Sequence, residues 1–203
     1  MKRTLMFTFS LAALTLLSAC GGAVENQETT YKLDEVSTLN WKGIYADDSH
    51  NHFGTVEVKE GSVVYQGDAF KSGTFTVDLG TIVSELTPET GKDKLLSHLN
   101  SPRFFNSEAY PSVKVEILSI KDKNAELVIH VNKKEVKATV PVTVHKSDKE
   151  LHIKGDFTVD FSSMDASGFK PDPEEEKIKP NQYVKPGVEF GLDITLKAEA
   201  LKK

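Results

Sequence analysis

Strict alternation of apolar and polar residues is the feature that most constrains this chain. In the last alternating segment one register is wholly apolar: Val188, Phe190, Leu192, Ile194, Leu196 and Ala198. The intervening residues are polar or small, and successive side chains of a strand point to opposite faces, so one face is dry and one is wet. The pattern recurs from His52 onward, and only one segment is clearly helical. The sheet is therefore expected to close on itself, around either a solid core or one apolar ligand.

Short polar turns separate the alternating segments, which favours antiparallel neighbours. The predicted strands precede the last segment and span residues 37–45, 52–58, 62–66, 69–79, 113–120, 125–131, 135–144 and 151–161. Pro141 lies inside one of them and has no amide hydrogen, so it predicts an edge or a bulge there.

Two segments depart from the alternation. Within residues 88–102, Leu95, Leu96 and Leu99 recur at helical spacing before Pro102, which predicts a helix that covers one end of the barrel. Residues 165–187 are rich in proline and glutamate, and we interpret them as a long mobile loop. Such a loop is either functional or merely tolerated, and the sequence leaves both alternatives open.

The N-terminus has the pattern of a secretory signal peptide. A basic start at Lys2 and Arg3 is followed by a short apolar run and by small residues. Leu-Ser-Ala-Cys resembles a bacterial lipobox, and this resemblance implies that Cys20, the single cysteine, becomes the lipidated first residue. We therefore expect a lipoprotein signal peptide over residues 1–19, a flexible tether over 20–30 and one folded domain over 31–203. The expected location is extracytoplasmic, anchored to a membrane in the periplasm or at the outer membrane of a bacterium.

Charge and motifs exclude several classes of function. The net charge is −5, with 30 acidic and 25 basic residues and no basic cluster, which argues against nucleic acid as a partner. There is no nucleophile elbow, phosphate loop, dinucleotide fingerprint or zinc-protease motif, so we predict no catalytic residues and no cofactor. His50 and His52, close to Asp47 and Asp48, could bind a metal, but a polar loop is the preferred interpretation and no metal site is predicted.

Aromatic residues share the apolar register or flank the predicted helix. They are Phe53, Phe70, Phe75, Phe104, Phe105, Phe157, Phe161 and Phe190. Such residues usually fill a core, but some of them could line a tunnel. Alternation indicates which residues face inward and does not indicate whether space remains among them.

Two stretches resemble the YceI-like family. The first combines residues 41–43, 52–56, 60–61 and 72–79. The second, more specific, contains a helix that ends in His98 and Leu99, then Phe104-Phe105, then Tyr110-Pro111. The resemblance covers about residues 31–200 and implies an all-β fold, an antiparallel lipocalin-like β-barrel with a short helical cap. It also implies that a long apolar lipid, polyisoprenoid or quinone-like, binds inside the barrel.

The resemblance implies that Phe75, Val77 and Leu79 line the channel and that Phe104 and Phe105 anchor the cap. Together with other residues of the apolar register and the helix, they form the predicted set of ligand-binding residues. They are Trp41, Phe53, Phe70, Phe75, Val77, Leu79, Leu96, Phe104, Phe105, Phe157 and Phe190. The stretch that begins at Asp160 lacks an arginine that family members often carry there, so an anionic head group is not implied for this chain.

The preferred hypothesis is a lipid-anchored carrier or reservoir, with an apolar lipid as its ligand and the membrane contacted through lipidated Cys20. Two alternatives remain at this stage. One is a structural or partner-binding envelope module with a solid barrel, whose acidic proline-rich segment 170–186 contacts a protein partner that the sequence does not identify. The other is an enzyme that uses His98 or the pair His50 and His52.

Overall fold

The computed structural model describes residues 27–47, 50–164, 166–169, 173–178 and 183–199. The described strands are β1 (Glu28–Leu33), β2 (Ser37–Tyr45), β3 (His52–Gln66), β4 (Ala69–Ser84), β5 (Ser112–Lys121), β6 (Asn124–Val131), β7 (Lys134–Pro141), β8 (Thr143–Lys146), β9 (Glu150–Asp160) and β10 (Val184–Ala198). The helices are α1 (Lys92–Asn100) and α2 (Pro173–Ile178), with short 3-10 turns at Pro88–Thr90, Ser162–Met164 and Ser167–Phe169. None of the described helices is long and apolar enough to cross a bilayer.

All the described strands pair antiparallel in one sheet that closes into a barrel. The order is β7-β6-β5-β4-β3-β1-β10-β9-β8, and β2 also pairs with β3 and β10. β1 and β2 therefore both lie between the long strands β3 and β10. β2 pairs with the N-terminal part of β3, and β1 pairs with its C-terminal part. On the opposite side, β7 pairs with β6 while the next strand, β8, pairs with β9. The predicted all-β, lipocalin-like antiparallel barrel with a short helical cap is confirmed.

Pro141 marks the position where the chain changes its partner strand. It is the last residue of β7 and pairs with Asn124 of β6, and β8 begins two residues later on β9. Its carbonyl lies so close to Gly155 of β9 that a Cβ on Gly155 would be 2.6 Å from the oxygen. Because proline has no amide hydrogen to donate, the hydrogen-bonded ladder between β6 and β7 can end at this residue. The predicted irregularity at Pro141 is thus the junction between β7 and β8.

The two ends of the barrel differ in what covers them. The closed end, formed by the turns β3–β4, β5–β6 and β8–β9, is filled by side chains that are at most 7 % exposed: Tyr31, Val63, Tyr65, Leu151 and Leu196. The Tyr31 hydroxyl donates a hydrogen bond to the Ser147 carbonyl at 2.6 Å. The opposite end, the cap end, carries α1 and the connection from β9 to β10.

Several sequence-based boundaries were wrong. The predicted tether extends to residue 30, but β1 begins at Glu28 because Thr29 and Thr30 already pair with β3. The predicted strands 52–58 and 62–66 are one strand, β3, which is irregular in its middle, and 135–144 divides into β7 and β8.

The predicted loop 165–187 also differs from the structure. It contains α2 and the start of β10, and Ala166 and Phe169 are buried. Residues 1–26, 48–49, 165, 170–172, 179–182 and 200–203 lie outside the described residues. The predicted signal peptide, the lipidated Cys20 and most of the predicted tether fall among them.

Candidate functional site

A cavity of about 190 Å³ lies inside the barrel, between the closed end and the cap. Every residue that lines it is apolar or glycine; Val77, Val115, Leu127 and Ile153 supply part of the aliphatic wall. For comparison, an engineered cavity of about 150 Å³ lined by Leu, Ile and Phe stays dry and binds benzene. The middle of this barrel is therefore hollow, which is not what the solid-barrel alternative predicts.

A bulge in β4 brings an additional side chain into the wall. Thr81 Oγ1 accepts a hydrogen bond from the backbone N–H of Glu57 at 2.9 Å and donates one to the Asp78 carbonyl at 2.7 Å. The pairing of β3 with β4 shifts here, as expected of a bulge. As a result Leu79 and Ile82 both line the cavity although they are three residues apart.

Two aromatic rings of the wall lie against glycines of β3. The indole of Trp41 lies beside Gly54, where a Cβ would be 2.6 Å from Cζ2, and its Nε1 donates to the Thr55 carbonyl at 3.3 Å. The ring of Phe75 lies beside Gly61, where a Cβ would be 2.3 Å from Cδ1. Glycine at these positions lets both rings lie flat along the strand, so the sequence of β3 shapes the width of the cavity.

Four phenylalanines close the cap end. We call Phe104, Phe105, Phe161 and Phe169 the aromatic stopper; all four line the cavity. The ring of Phe169 contacts Phe104 and Phe105 edge-on, with centroids 5.1 and 5.6 Å apart, and stacks on Phe161 at 5.5 Å. Such arrangements are favourable for aromatic pairs.

The stopper joins two separate connections of the chain. Phe104 and Phe105 follow α1, whereas Phe169 belongs to the connection between β9 and β10. The backbone N–H of Gly168 donates to the Arg103 carbonyl at 2.7 Å, and a Cβ on Gly168 would lie 2.5 Å from the Phe104 ring. Glycine at residue 168 therefore allows the two connections to meet.

Titratable side chains lie outside the cavity wall. His52 does not line the cavity; burial, and secondarily the nearby His50, lower its pKa, and its Nδ1 is buried without a hydrogen-bond partner. His98 lies in the last turn of α1. Among the described residues no group of three or more His, Cys, Asp or Glu side chains is placed to hold a metal ion. The site can thus enclose an apolar group, and its lining residues supply no acid or base.

Most of the predicted ligand-binding residues line this cavity. They are Trp41, Phe75, Val77, Leu79, Phe104, Phe105, Phe157 and Phe190. Their position in the wall is a structural fact, and their role in binding stays a prediction.

Three of the predicted residues do not line the cavity. Phe53 is 44 % exposed and lines a shallow groove on the outer face, because it shares its face of β3 with Thr55 rather than with Val56. Phe70 packs edge-on against Tyr65 at the closed end, with centroids 5.8 Å apart. Leu96 does not line the cavity, whereas Leu99, on the same helix α1, does.

Sequence reasoning also missed residues of the site. The aliphatic walls of β5, β6 and β9 follow the alternation and could have been included on that signal. Phe169 gave no such signal, because it stands in a segment with neither strand nor helix periodicity. Its place in the stopper is known only from the contacts between the two cap connections.

Comparison with known proteins agrees with this geometry. A family model described as YceI-like domain matches residues 31–199. A sequence search among curated proteins gives no match.

Two solved structures share the fold at low sequence identity. One is a polyisoprenoid-binding domain from Saccharophagus degradans implicated in plant cell wall breakdown, with 12% identity and a TM-score of 0.55; the match covers 83% of this chain and 98% of that one. The other is BcnA from Burkholderia cenocepacia, with 14% identity and a TM-score of 0.53, covering 77% of this chain and 95% of that one.

Proposed function

Because the chain belongs to the YceI-like domain family, we propose that it binds one apolar lipid, of the polyisoprenoid or quinone-like class, inside its barrel. The observation that carries the proposal is the cavity inside the barrel, whose lining residues are all apolar or glycine. A similar fold in a polyisoprenoid-binding domain supports the class of ligand. The family consists of binding domains rather than enzymes, in keeping with a wall that carries no acid, base or nucleophile.

Burial of hydrocarbon is sufficient to hold such a ligand. A prenyl chain presents little polar surface, so the site needs few hydrogen bonds, and each buried CH₂ contributes about 0.8 kcal/mol. The apolar wall distinguishes ligands chiefly by size and shape, because one methylene more or less changes affinity by only about 1–3 kcal/mol. Any polar head group of the ligand stays outside the cavity, where water solvates it.

The proposed anchor is the lipidated Cys20, and the proposed role is that of an extracytoplasmic carrier or reservoir. The lipobox-like sequence supports the anchor. The described chain enters the barrel at Glu28, whose partner Gln66 is the last residue of β3 before the turn at the closed end. The tether therefore leads to the closed end, opposite the cap.

The experiment that tests the proposed ligand is mass spectrometry under native conditions. The full chain, expressed and purified as the cell processes it, is measured intact and then extracted with organic solvent. We expect one apolar molecule for each protein, released by the solvent and identified as a prenyl lipid. A protein that carries no lipid from the cell and takes up no added prenyl lipid would contradict the proposal.

A further inference from the structure

The inner face of the barrel becomes polar where β2 meets β3 at the cap end. His52 shares its face of β3 with Val56, which lines the cavity, because the side-chain period of a strand is two. Tyr45 likewise shares its face of β2 with Trp41 and Gly43, which also line the cavity. His52 and Tyr45 themselves do not line it. They form a polar border next to the apolar wall.

His52 lies beside the cavity through its neighbours on the paired strands. It pairs with Gly43 of β2, and Tyr45 pairs with Val184 of β10. Both Gly43 and Val184 line the cavity. A Cβ on Gly43 would have its nearest neighbour, Cζ3 of Trp41, at 3.9 Å. The absence of a side chain at residue 43 therefore leaves room for a ligand atom next to His52.

The His52 ring carries a hydrogen-bonding atom that the protein does not satisfy. Its Nδ1 is buried and has no hydrogen-bond partner among the described residues. The Tyr45 ring meets the imidazole edge-on, with centroids 5.8 Å apart, and so helps to fix its orientation. A buried polar atom without a partner is unfavourable, and most such atoms in proteins are paired. A ligand that supplied the missing partner would gain affinity from it.

The charge state of the ring indicates which polar group it can bind. Burial, and secondarily the nearby His50, lower the pKa of His52, so the imidazole is neutral at pH 7. A neutral imidazole has one N–H donor and one acceptor nitrogen. A hydroxyl group both donates and accepts, so it satisfies Nδ1 in either tautomer. A phosphate group, in contrast, gains no charge–charge attraction from a neutral ring.

We propose that His52 binds the polar end of the lipid, and that this polar end is a neutral hydroxyl group on an isoprenoid chain. The inference rests on the proposed function, because it takes the cavity as the site of the hydrocarbon. The chain lies along the apolar wall, and the hydroxyl lies just outside that wall, at Nδ1 of His52. Since an apolar wall does not distinguish one head group from another, His52 supplies that selectivity.

The test is a cycle between the residue and the ligand group. The delipidated full chain is titrated with geranylgeraniol, a prenyl alcohol of four isoprene units, and with the hydrocarbon in which a hydrogen replaces its hydroxyl. Displacement of a fluorescent fatty probe reports both affinities. We expect His52→Leu to weaken binding of the alcohol relative to the hydrocarbon by roughly threefold to tenfold, the net value of one hydrogen bond. Any change in packing affects both ligands and cancels in the ratio.

A matched variant and a third ligand complete the design. His145→Leu makes the same substitution at an exposed residue of β8, and its ratio of affinities should stay within about twofold of the parent's. Geranylgeranyl diphosphate has the same chain with an anionic head group, and we expect it to bind the parent less tightly than the alcohol.

NMR of isotope-labelled histidine ring nitrogens tests the contact directly, also if His52→Leu does not fold. We expect the alcohol to shift the Nδ1 resonance of His52 in the parent, and the hydrocarbon to shift it much less. A resonance that does not respond to the bound alcohol would overturn the contact.

The remaining outcomes separate this inference from the proposed function. An equal ratio of affinities in the parent and in His52→Leu overturns the role of His52. Tighter binding of the diphosphate than of the alcohol overturns the neutral hydroxyl. Both results leave the cavity as the lipid site. If neither the alcohol nor the hydrocarbon binds the parent, the proposed function itself fails.

Discussion

The indole ring of Trp41 occupies the space that a side chain at Gly54 would need. The two residues pair across β2 and β3, and a Cβ on Gly54 would lie 2.6 Å from Cζ2 of the ring and 1.8 Å from the Val83 carbonyl. The Trp41 ring can therefore take its place in the cavity wall only because residue 54, on the adjacent strand, has no side chain.

Gly54→Ala is expected to destabilise the barrel by at least about 2 kcal/mol, because a backbone carbonyl cannot move aside as a flexible side chain can. Urea denaturation, followed by the fluorescence of the single tryptophan, measures the change. Gly43→Ala is the matched control: its Cβ would meet the same indole at 3.9 Å, an ordinary contact, so its cost should stay below about 1 kcal/mol. Equal losses in the two variants would contradict this account.

Val77→Asp is expected to remove lipid retention, because it places a carboxylate in the apolar wall of the cavity. Lipid extracted per mole of purified protein is the measurement, and we expect at least a tenfold decrease. Val83→Asp makes the same change on the same strand at a side chain that is 44 % exposed, and it should retain lipid like the parent.

Val77→Thr covers the case in which the aspartate variant does not fold. A threonine is close to valine in shape but brings a hydroxyl into the wall, so lipid retention should fall while the far-UV circular dichroism stays that of the parent. Full retention in Val77→Thr and in a folded Val77→Asp would show that the cavity is not the lipid site.

Asp78 is expected to stabilise the bulge of β4 in a pH-dependent way. The hydrogen bond from Lys59, and secondarily that from the backbone N–H of Gly80, hold the pKa of the Asp78 carboxyl below its ordinary value. Because the pKa in the folded state is the lower one, the stabilisation is present at pH values above the ordinary pKa and is lost as pH falls through the folded-state pKa. Asp78→Asn should therefore cost up to about 1 kcal/mol at pH 7 and nothing below that folded-state pKa.

A double-mutant cycle with Lys59→Gln tests the origin of this effect. If the ion pair is responsible, the two substitutions together cost less at pH 7 than the sum of the single variants. Urea denaturation at pH 7 and at acid pH supplies the required free energies of unfolding. Additive losses that do not change with pH would point to the backbone contacts of the bulge instead.

Cys20→Ser is expected to release the protein from the membrane fraction, because the thiol that would carry the lipid is lost. Metabolic labelling with a radioactive fatty acid, followed by cell fractionation, makes the comparison, and we expect no label on the variant. The melting temperature of the folded domain should not change, since residue 20 precedes β1. A parent protein that takes up no label would contradict lipidation at Cys20.

The local sequence pattern was sufficient to predict most of the strands and most of the residues that line the cavity. Alternation placed Val77, Leu79, Phe157 and Phe190 inward, because the side-chain period of a strand is two and one face has to be dry. The assignment of Phe53 to the inward face was wrong, because the same period of two places it with Thr55 in the outer register. Alternation could not anticipate Ile82, which the bulge at Thr81 turns inward.

The sequence by itself determined the fold class and the apolar character of the interior, since both follow from residues that are close together in the chain. Only the tertiary structure decided that the interior is hollow. The reason is that its size depends on how side chains from distant segments meet. Phe104 and Phe169 are far apart in sequence, and their rings touch only because Gly168 lets one connection approach the other at the cap.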